Sequence, residues 1–368
     1  MHAVSVGEVQ SAWPLLRALK ARAPSARAVL STTTVTGQTM ARQLTAPYAD
    51  DILYYPWDVP KIVRRALSAV RPAAYAALET EVWPAMLREL AARDIPTFLV
   101  NGRFSERAVR NFRRHPAFWR SLYGLFTRLL VKRRSPSDRE ALRAIAIPEE
   151  RIVVTGDCKV DALVLRREGA DLARARAIVG EGGPVFLAGS THGGEDEVVL
   201  EAYRTVRASL PAARLVVVPR HPERAQDVLT LAERVAPSKR LSDPDGGWAI
   251  LVVDRIGALF DLYAVADGVF VGGSLVPKGG QNIMEPAVFG QPLCHGPFMT
   301  DFPDAARDLG ALGVATEVRS AAEIAGHWLR SLDTEARGTA ARAAAAYFAR
   351  NGGAAEASLD VIFEEMGL

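Results

Sequence analysis

Along almost the whole chain, apolar runs of four to six residues alternate with amphipathic stretches of ten to fifteen, the pattern of strand and helix in a parallel sheet. In the first half, strands are expected at 2–6 (HAVSV), 28–33, 51–55, 74–78, 97–101, 128–131 and 152–155, with helices over 9–23, 60–70, 83–93 and 136–144. A second series of strands is expected at 185–189, 214–218, 249–253, 268–272, 292–295 and 314–318. The segment separating them, about 157–183, is charged and helix-prone without a strand pattern, and reads as a hinge. The fold class is therefore α/β, with two Rossmann-like domains at 1–165 and 176–368, the last helix being a candidate to return to the first domain. Ligands of such sheets bind at the carboxyl ends of the strands, which predicts a cleft faced by both domains. The first apolar run is barely five residues long and has no lead-in, so natural sequence is expected upstream.

Composition narrows the classes without choosing among them. The 368 residues are 49% hydrophobic with 45 basic and 42 acidic side chains, which excludes long disorder. Cys158 and Cys294 lack metal-ligand spacing, and no signal peptide is legible, so a cytoplasmic setting is expected. No apolar run approaches the roughly 18 residues of a membrane span.

The chemistry concentrates at strand ends. In VFVGGSLVPKGGQNIMEPAVFGQP (269–292), Gly272 and Gly273 follow a strand, while Gly279 and Gly280 precede a helix expected to start near Asn282. Backbone N–H groups there, with Ser274 in the loop and Lys278 as a point charge, suit a phosphate, and Glu285 suits a ribose diol. A plain glycine-rich turn is the competing reading. Two further strand ends lead into Ser190, Thr191 and His192 and into Arg220, His221 and Arg224. Their shared position favours one ligand crevice over three unrelated turns. In the first half, Gly7 and Glu8 sit where the first strand passes into a helix. Glu8 there either complements the helix dipole or serves as a general base. Glu79 and Glu81, spaced by two, are expected on one side of an extended chain.

The blocks HAVSVGEV, STTTVTGQ, ALETEVWP, NGRFSERA, VVTGDCKVD, AGSTHGGEDE, VVVPRHPER and GGSLVPKGGQNIMEPA follow one another along the chain. In order and approximate spacing they resemble the 3-deoxy-D-manno-octulosonic acid (Kdo) transferases of lipopolysaccharide synthesis. The resemblance implies an inverting GT-B glycosyltransferase that moves Kdo from CMP-Kdo to a lipid A precursor, without metal or cofactor, at the cytoplasmic face of the inner membrane. It implies an acceptor-binding first domain and a CMP-sugar-binding second one. Glu8 becomes the general base, with Glu81 catalytic beside it and Gly7 and Glu79 near the acceptor. Arg220, His221, Gly272, Gly273, Ser274, Lys278, Gly279, Gly280, Asn282 and Glu285 hold the donor, bordered by Ser190, Thr191 and His192.

Three departures accompany the resemblance. The sequence starts at MHAVSVGE, ahead of which the family pattern leads one to expect an anchor and basic segment, Gln281 stands for a histidine, and Phe298 and Asp301 stand for histidine and asparagine in GPFMTDF. Residues 101–135 carry ten basic side chains against one acid, with six aromatics interleaved. This composition suits an anionic membrane surface or the phosphates of the acceptor, with Arg103, Arg110, Arg113 and Arg114 as contacts. Nucleic acid is disfavoured by the net charge of +3 and the lack of a motif. Two alternatives stay open: a UDP-sugar 2-epimerase of the same architecture, and an inactive truncated homologue that binds CMP-sugar or lipid.

Overall fold

The computed structural model describes residues 1–132, 136–244 and 246–368 and separates into two compact units, 1–165 with 351–368, and 166–350. The break lies inside the helix Cys158–Glu168, so residues 166–175 belong to the second unit. The segment read as a hinge is built of two helices, Cys158–Glu168 and Leu172–Val179.

The first unit contains strands β1 (Val29–Thr32), β2 (Asp51–Tyr54), β3 (Tyr75–Leu78), β4 (Thr97–Gly102), β5 (Arg128–Val131) and β6 (Ile152–Val154), paired in parallel as β1-β2 and β3-β4-β5-β6. The strand expected at 2–6 is shorter than its apolar run. His2 bridges Ser31 on one side and Ala77 on the other, which knits the two sets into one layer, and the helix already begins at Val6. Ser5 and Glu8 cause the early start, because together they form a capping box on Val6–Arg22. β3 and β4 are buried along their whole length, as expected of parallel strands covered on both faces. The last helix, Ala354–Met366, buries Leu359 and Ile362 in the same core as Leu15 and Leu16. Asp161 caps its start by accepting the N–H groups of Gly353 and Ala355, both at 2.7 Å.

The second unit holds seven parallel strands in the order β13-β12-β11-β7-β8-β10-β9. These are β7 (Val185–Thr191), β8 (Arg214–Pro219), β9 (Ser238–Arg240), β10 (Ile250–Val252), β11 (Gly268–Val271), β12 (Leu293–His295) and β13 (Ala315–Glu317). β9 lies at the sheet edge and reads SKR, so no apolar run announces it. β11, β7 and β8 are consecutive neighbours, which brings the loops after them to one crest. The helix expected from Asn282 is a single turn, Met284–Ala287. Pro286, which cannot donate to the preceding turn, and Gly290, at φ +78°, keep it from growing.

Candidate active site

In the first unit three carboxylates gather at the carboxyl edge of the sheet. Glu8 accepts the N–H groups of Val4 and Ser5 through one oxygen, Oε2, the Ser5 bond measuring 3.2 Å. Its other oxygen, Oε1, has no hydrogen-bond partner among the described residues. Burial lifts the Glu8 carboxyl above the usual range; the Val4 N–H opposes this and the Glu79 charge adds to it. Glu81 is pushed up to about 7, first by burial and then by the charge on Glu8. Glu81 therefore sits where a carboxyl can hold or take a proton near neutrality, and Glu8 is shifted in the same direction.

Glu79 differs from the sequence expectation. It stands at φ +59° in a turn, so Glu79 and Glu81 are not successive same-side positions of an extended strand. Its carboxylate meets Lys159 Nζ at 2.5 Å and accepts from Ser11 Oγ at 3.4 Å. Asn101, at φ +60° on β4, donates to Ser11 at 3.3 Å and accepts the Cys158 N–H at 3.0 Å. Left-handed backbone at two neighbouring strand ends costs on the order of 1 kcal/mol or more per residue and is typical of functional loops. Lys159 and Asn101 had no role in the sequence reading, although both lie within its quoted blocks. Gly7 is partly exposed, and a β-carbon there would meet only Lys159 Nζ, at 3.9 Å.

In the second unit the end of β7 carries Ser190 at φ +56°, whose carbonyl oxygen lies 3.1 Å from Nδ1 of His192 in the loop that follows. Burial depresses the His192 imidazole, with the charge of Glu195 opposing. Thr191 is fully buried and its hydroxyl has no hydrogen-bond partner among the described residues. Arg224 donates to the Thr191 carbonyl at 3.1 Å and pairs with Asp196, which ties the β8 loop to the β7 loop. Arg220 and His221 stay exposed, the His221 ring standing edge-on 6.1 Å from His192.

The glycine loop corrects the expected phosphate cradle. The N–H groups of Gly273, Ser274 and Leu275 are already bound to the carboxylate of Glu195, at 2.7, 2.9 and 2.9 Å. Ser274 is fully buried: its hydroxyl donates to Val271 O at 2.5 Å and accepts the Gly296 N–H at 2.8 Å, so its side chain is a structural pin. Gly279 and Gly280 occupy left-handed backbone, and a β-carbon on Gly279 would stand 2.6 Å from the Asp301 carboxylate. The segment containing Phe298 and Asp301 thus backs this loop, through Phe298 N–H to Ser274 O and Asp301 N–H to Gly279 O, each 2.9 Å.

Groups left for a ligand are fewer and more specific. Lys278 is exposed, and neither its ammonium nor the backbone N–H groups of Gly279 and Gln281 have a partner among the described residues. Asn282 spends its side-chain oxygen on the Met284 N–H at 3.1 Å. Burial raises the Glu285 carboxyl against the opposing charges of Arg166 and Arg220; Arg166 pairs with it at 2.9 Å and lies 3.8 Å over the Phe260 ring.

The basic segment 101–135 divides by role. Arg120, Arg128 and Lys132 bind Ile145 O, Glu150 O and Asp157 within the unit. Arg103, Arg107, Arg110, Arg113 and Arg114 are exposed, and of these only Arg110 has an ion-pair partner among the described residues, Glu106 at 3.5 Å. Arg133, Arg134 and Ser135 lie outside the described residues. Phe104, Phe112, Tyr123 and Phe126 are core, and Phe118 alone of the six aromatics is strongly exposed, at 54%. Trp57, 81% exposed just before the helix Pro60–Val70, is an exposed apolar side chain that sequence patterning missed. Among the described residues no helix is long and apolar enough to cross a membrane.

Two parallel α/β units with polar loops at the strand carboxyl ends make a GT-B fold, and a solved structure bears it out. UDP-GlcNAc 2-epimerase from Neisseria meningitidis, bound to UDP-GlcNAc, aligns over 100% of both chains with a TM-score of 0.67 at 14% identity. The chain belongs to the 3-deoxy-D-manno-octulosonic acid transferase family and is a Kdo glycosyltransferase. Residues 1–162 match the profile of the 3-deoxy-D-manno-octulosonic-acid transferase (kdotransferase) family. The 3-deoxy-D-manno-octulosonic acid transferase of Haemophilus influenzae is 31% identical over 329 residues, 88% of this chain and 76% of the relative. That of Bordetella pertussis is 32% identical, covering 100% of this chain and 87% of the relative.

Proposed function

We propose that this protein transfers Kdo from CMP-Kdo to a hydroxyl of a lipid A precursor with inversion at the anomeric carbon, Glu8 acting as general base. The observation that carries this reading is the half-engaged Glu8 carboxylate: the capping box fixes Oε2 and leaves Oε1 free to accept a proton. An acceptor hydroxyl deprotonated there attacks the anomeric carbon from the face opposite the leaving group, and the bond to CMP breaks with its electron pair going to the phosphate. Lys278, Arg220 and the open N–H groups of Gly279 and Gln281 are the cations and donors available to that developing charge. Glu81, pushed up to about 7, is partly protonated at neutral pH and so limits like-charge repulsion around the base. The five exposed arginines between 103 and 114, with Phe118 and Trp57, suit peripheral attachment to an anionic bilayer at the cytoplasmic face, where the acceptor is embedded.

The test is CMP release from CMP-Kdo in the presence of lipid A precursor. Glu8→Gln is expected to lower turnover by about 10² or more while CMP affinity stays near wild type. Turnover within a few-fold of wild type would remove Glu8 from the chemistry. No CMP release by the wild-type protein would refute the transfer itself.

A further inference from the structure

The carboxylate of Glu195 is completely buried, yet among the described residues no Lys or Arg forms an ion pair with it; apart from His192 Nδ1 at 3.9 Å, its hydrogen-bonding neighbours are backbone N–H groups. Oε2 accepts from His192 at 2.8 Å and Gly273 at 2.7 Å, and Oε1 accepts from Ser274 and Leu275, each at 2.9 Å. Three successive N–H groups pointing into one concavity form an anion-binding nest, and here the anion belongs to the protein. Bonds from N–H to a full carboxylate are about twice as strong as neutral ones. Glu195 also opens the helix Asp196–Ser209, so the anchor is rooted in a rigid element of fourteen residues.

We propose that Glu195 is a positioning residue of the donor site, its carboxylate locking the β11 glycine loop onto the β7 loop in the shape that presents Lys278, Gly279 and Gln281 to the donor phosphate. The proposal rests on the donor reading above. The lock joins two sides of that site: one oxygen bridges His192 of the β7 loop and Gly273 of the glycine loop, while the other holds the next two residues of the glycine loop. Gly280 N–H then closes back on Gly273 O at 2.8 Å, so the register set at Gly273 carries to the far glycine pair. A glutamine cannot replace the lock. Whichever way its amide is turned, its NH₂ faces two N–H donors, leaving either the His192 and Gly273 pair or the Ser274 and Leu275 pair buried without an acceptor.

A residue that only keeps the unit folded would, when replaced, lower the fraction of active protein and hence apparent kcat, leaving donor KM in place. A positioning residue moves KM. Glu195→Gln and Glu195→Ala are therefore expected to raise donor KM and CMP Kd by about tenfold or more, with kcat at saturating donor within about threefold of wild type. Formate, a carboxylate small enough for the space left by the deleted side chain, is expected to recover part of the CMP affinity of Glu195→Ala and none in wild type. If Glu195→Ala does not fold, Glu195→Gln, which keeps the volume, carries the comparison. Unchanged KM and Kd, or a fall in kcat alone, overturns the proposal. Amide exchange in the ligand-free protein separates it from the donor reading. Should wild-type protein bind no CMP, the donor reading falls, and slow exchange at Gly273, Ser274 and Leu275 that becomes fast in Glu195→Gln would still establish the lock. Equal exchange in the two proteins overturns it.

Discussion

Glu81 offers a measurement of the acidic edge that needs no substrate. Its carboxyl moves from 4.5 to about 7 because ionising it in this half-buried place is costly and because Glu8 is close by. A group that binds its proton more tightly folded than unfolded stabilises the fold fully below the unfolded value. That contribution is lost as pH rises through the folded one, here between about 4.5 and 7. At about 1.4 kcal/mol per pH unit the interval corresponds to roughly 3 kcal/mol, and partial exposure screens it to about 1–2 kcal/mol. In a unit of this size that is a fall in Tm of about 2–8 °C. Thermal unfolding of wild type and Glu81→Gln at pH 5 and pH 8 isolates it, because distant titrating groups act equally on both proteins and cancel in the difference of differences. Wild type is expected to lose more stability than the variant on going to pH 8. An equal loss in the two proteins would show that Glu81 titrates normally and that the edge is more solvated than its burial implies.

Three further outcomes follow from the same geometry. Lys278→Ala removes an exposed cation with no partner among the described residues, so calorimetry is expected to show CMP affinity weakened about five- to tenfold with Tm unchanged. Gly280→Ala places a side chain at φ +79° against the Met299 sulfur, and a loss of about 1–3 kcal/mol is expected in unfolding experiments even without ligand. Replacing Arg110, Arg113 and Arg114 by Ser is expected to weaken sedimentation with anionic liposomes, most at low salt, while CMP affinity is unaffected; equal binding to neutral and anionic vesicles would refute the electrostatic part.

The elements legible in the sequence were those whose burial is simple. β4 and β11 are buried along their length, so an unbroken apolar run marks them, and the helix Pro60–Val70 begins at a proline suited to a first turn. Where two demands compete, the pattern misleads. Residues 2–6 are apolar enough for a strand, but the capping box claims Val6 for the helix. The run after Asn282 is apolar because Ile283, Ala287 and Val288 are core, and only a single turn of it is helical. The role of Glu195 left no local trace, since its glycine-loop partners are backbone N–H groups 78 to 80 residues away. A carboxylate bound by main chain can face almost any side chains, so composition around the glycines could suggest an anion but not reveal that the protein supplies its own.

That distinction bears on how the two acids of the first unit divide their work. Burial raises both carboxyls and the charge on Glu8 raises Glu81 further, but only Glu8 accepts backbone N–H bonds from Val4 and Ser5 that favour its ionised form. As pH rises, Glu8 is therefore the first of the pair to lose its proton, and its charge helps keep Glu81 neutral. A pair pushed apart in this way yields one base and one retained acid at the same pH, the arrangement that separates roles between identical side chains in many enzymes. In the proposed transfer the ionised member is the one whose second oxygen is free, so the capping box fixes both the charge and the direction from which a hydroxyl proton can be taken. Glutamine at position 8 would retain an acceptor for the cap and lose the charge, which is why Glu8→Gln separates the two functions of one residue.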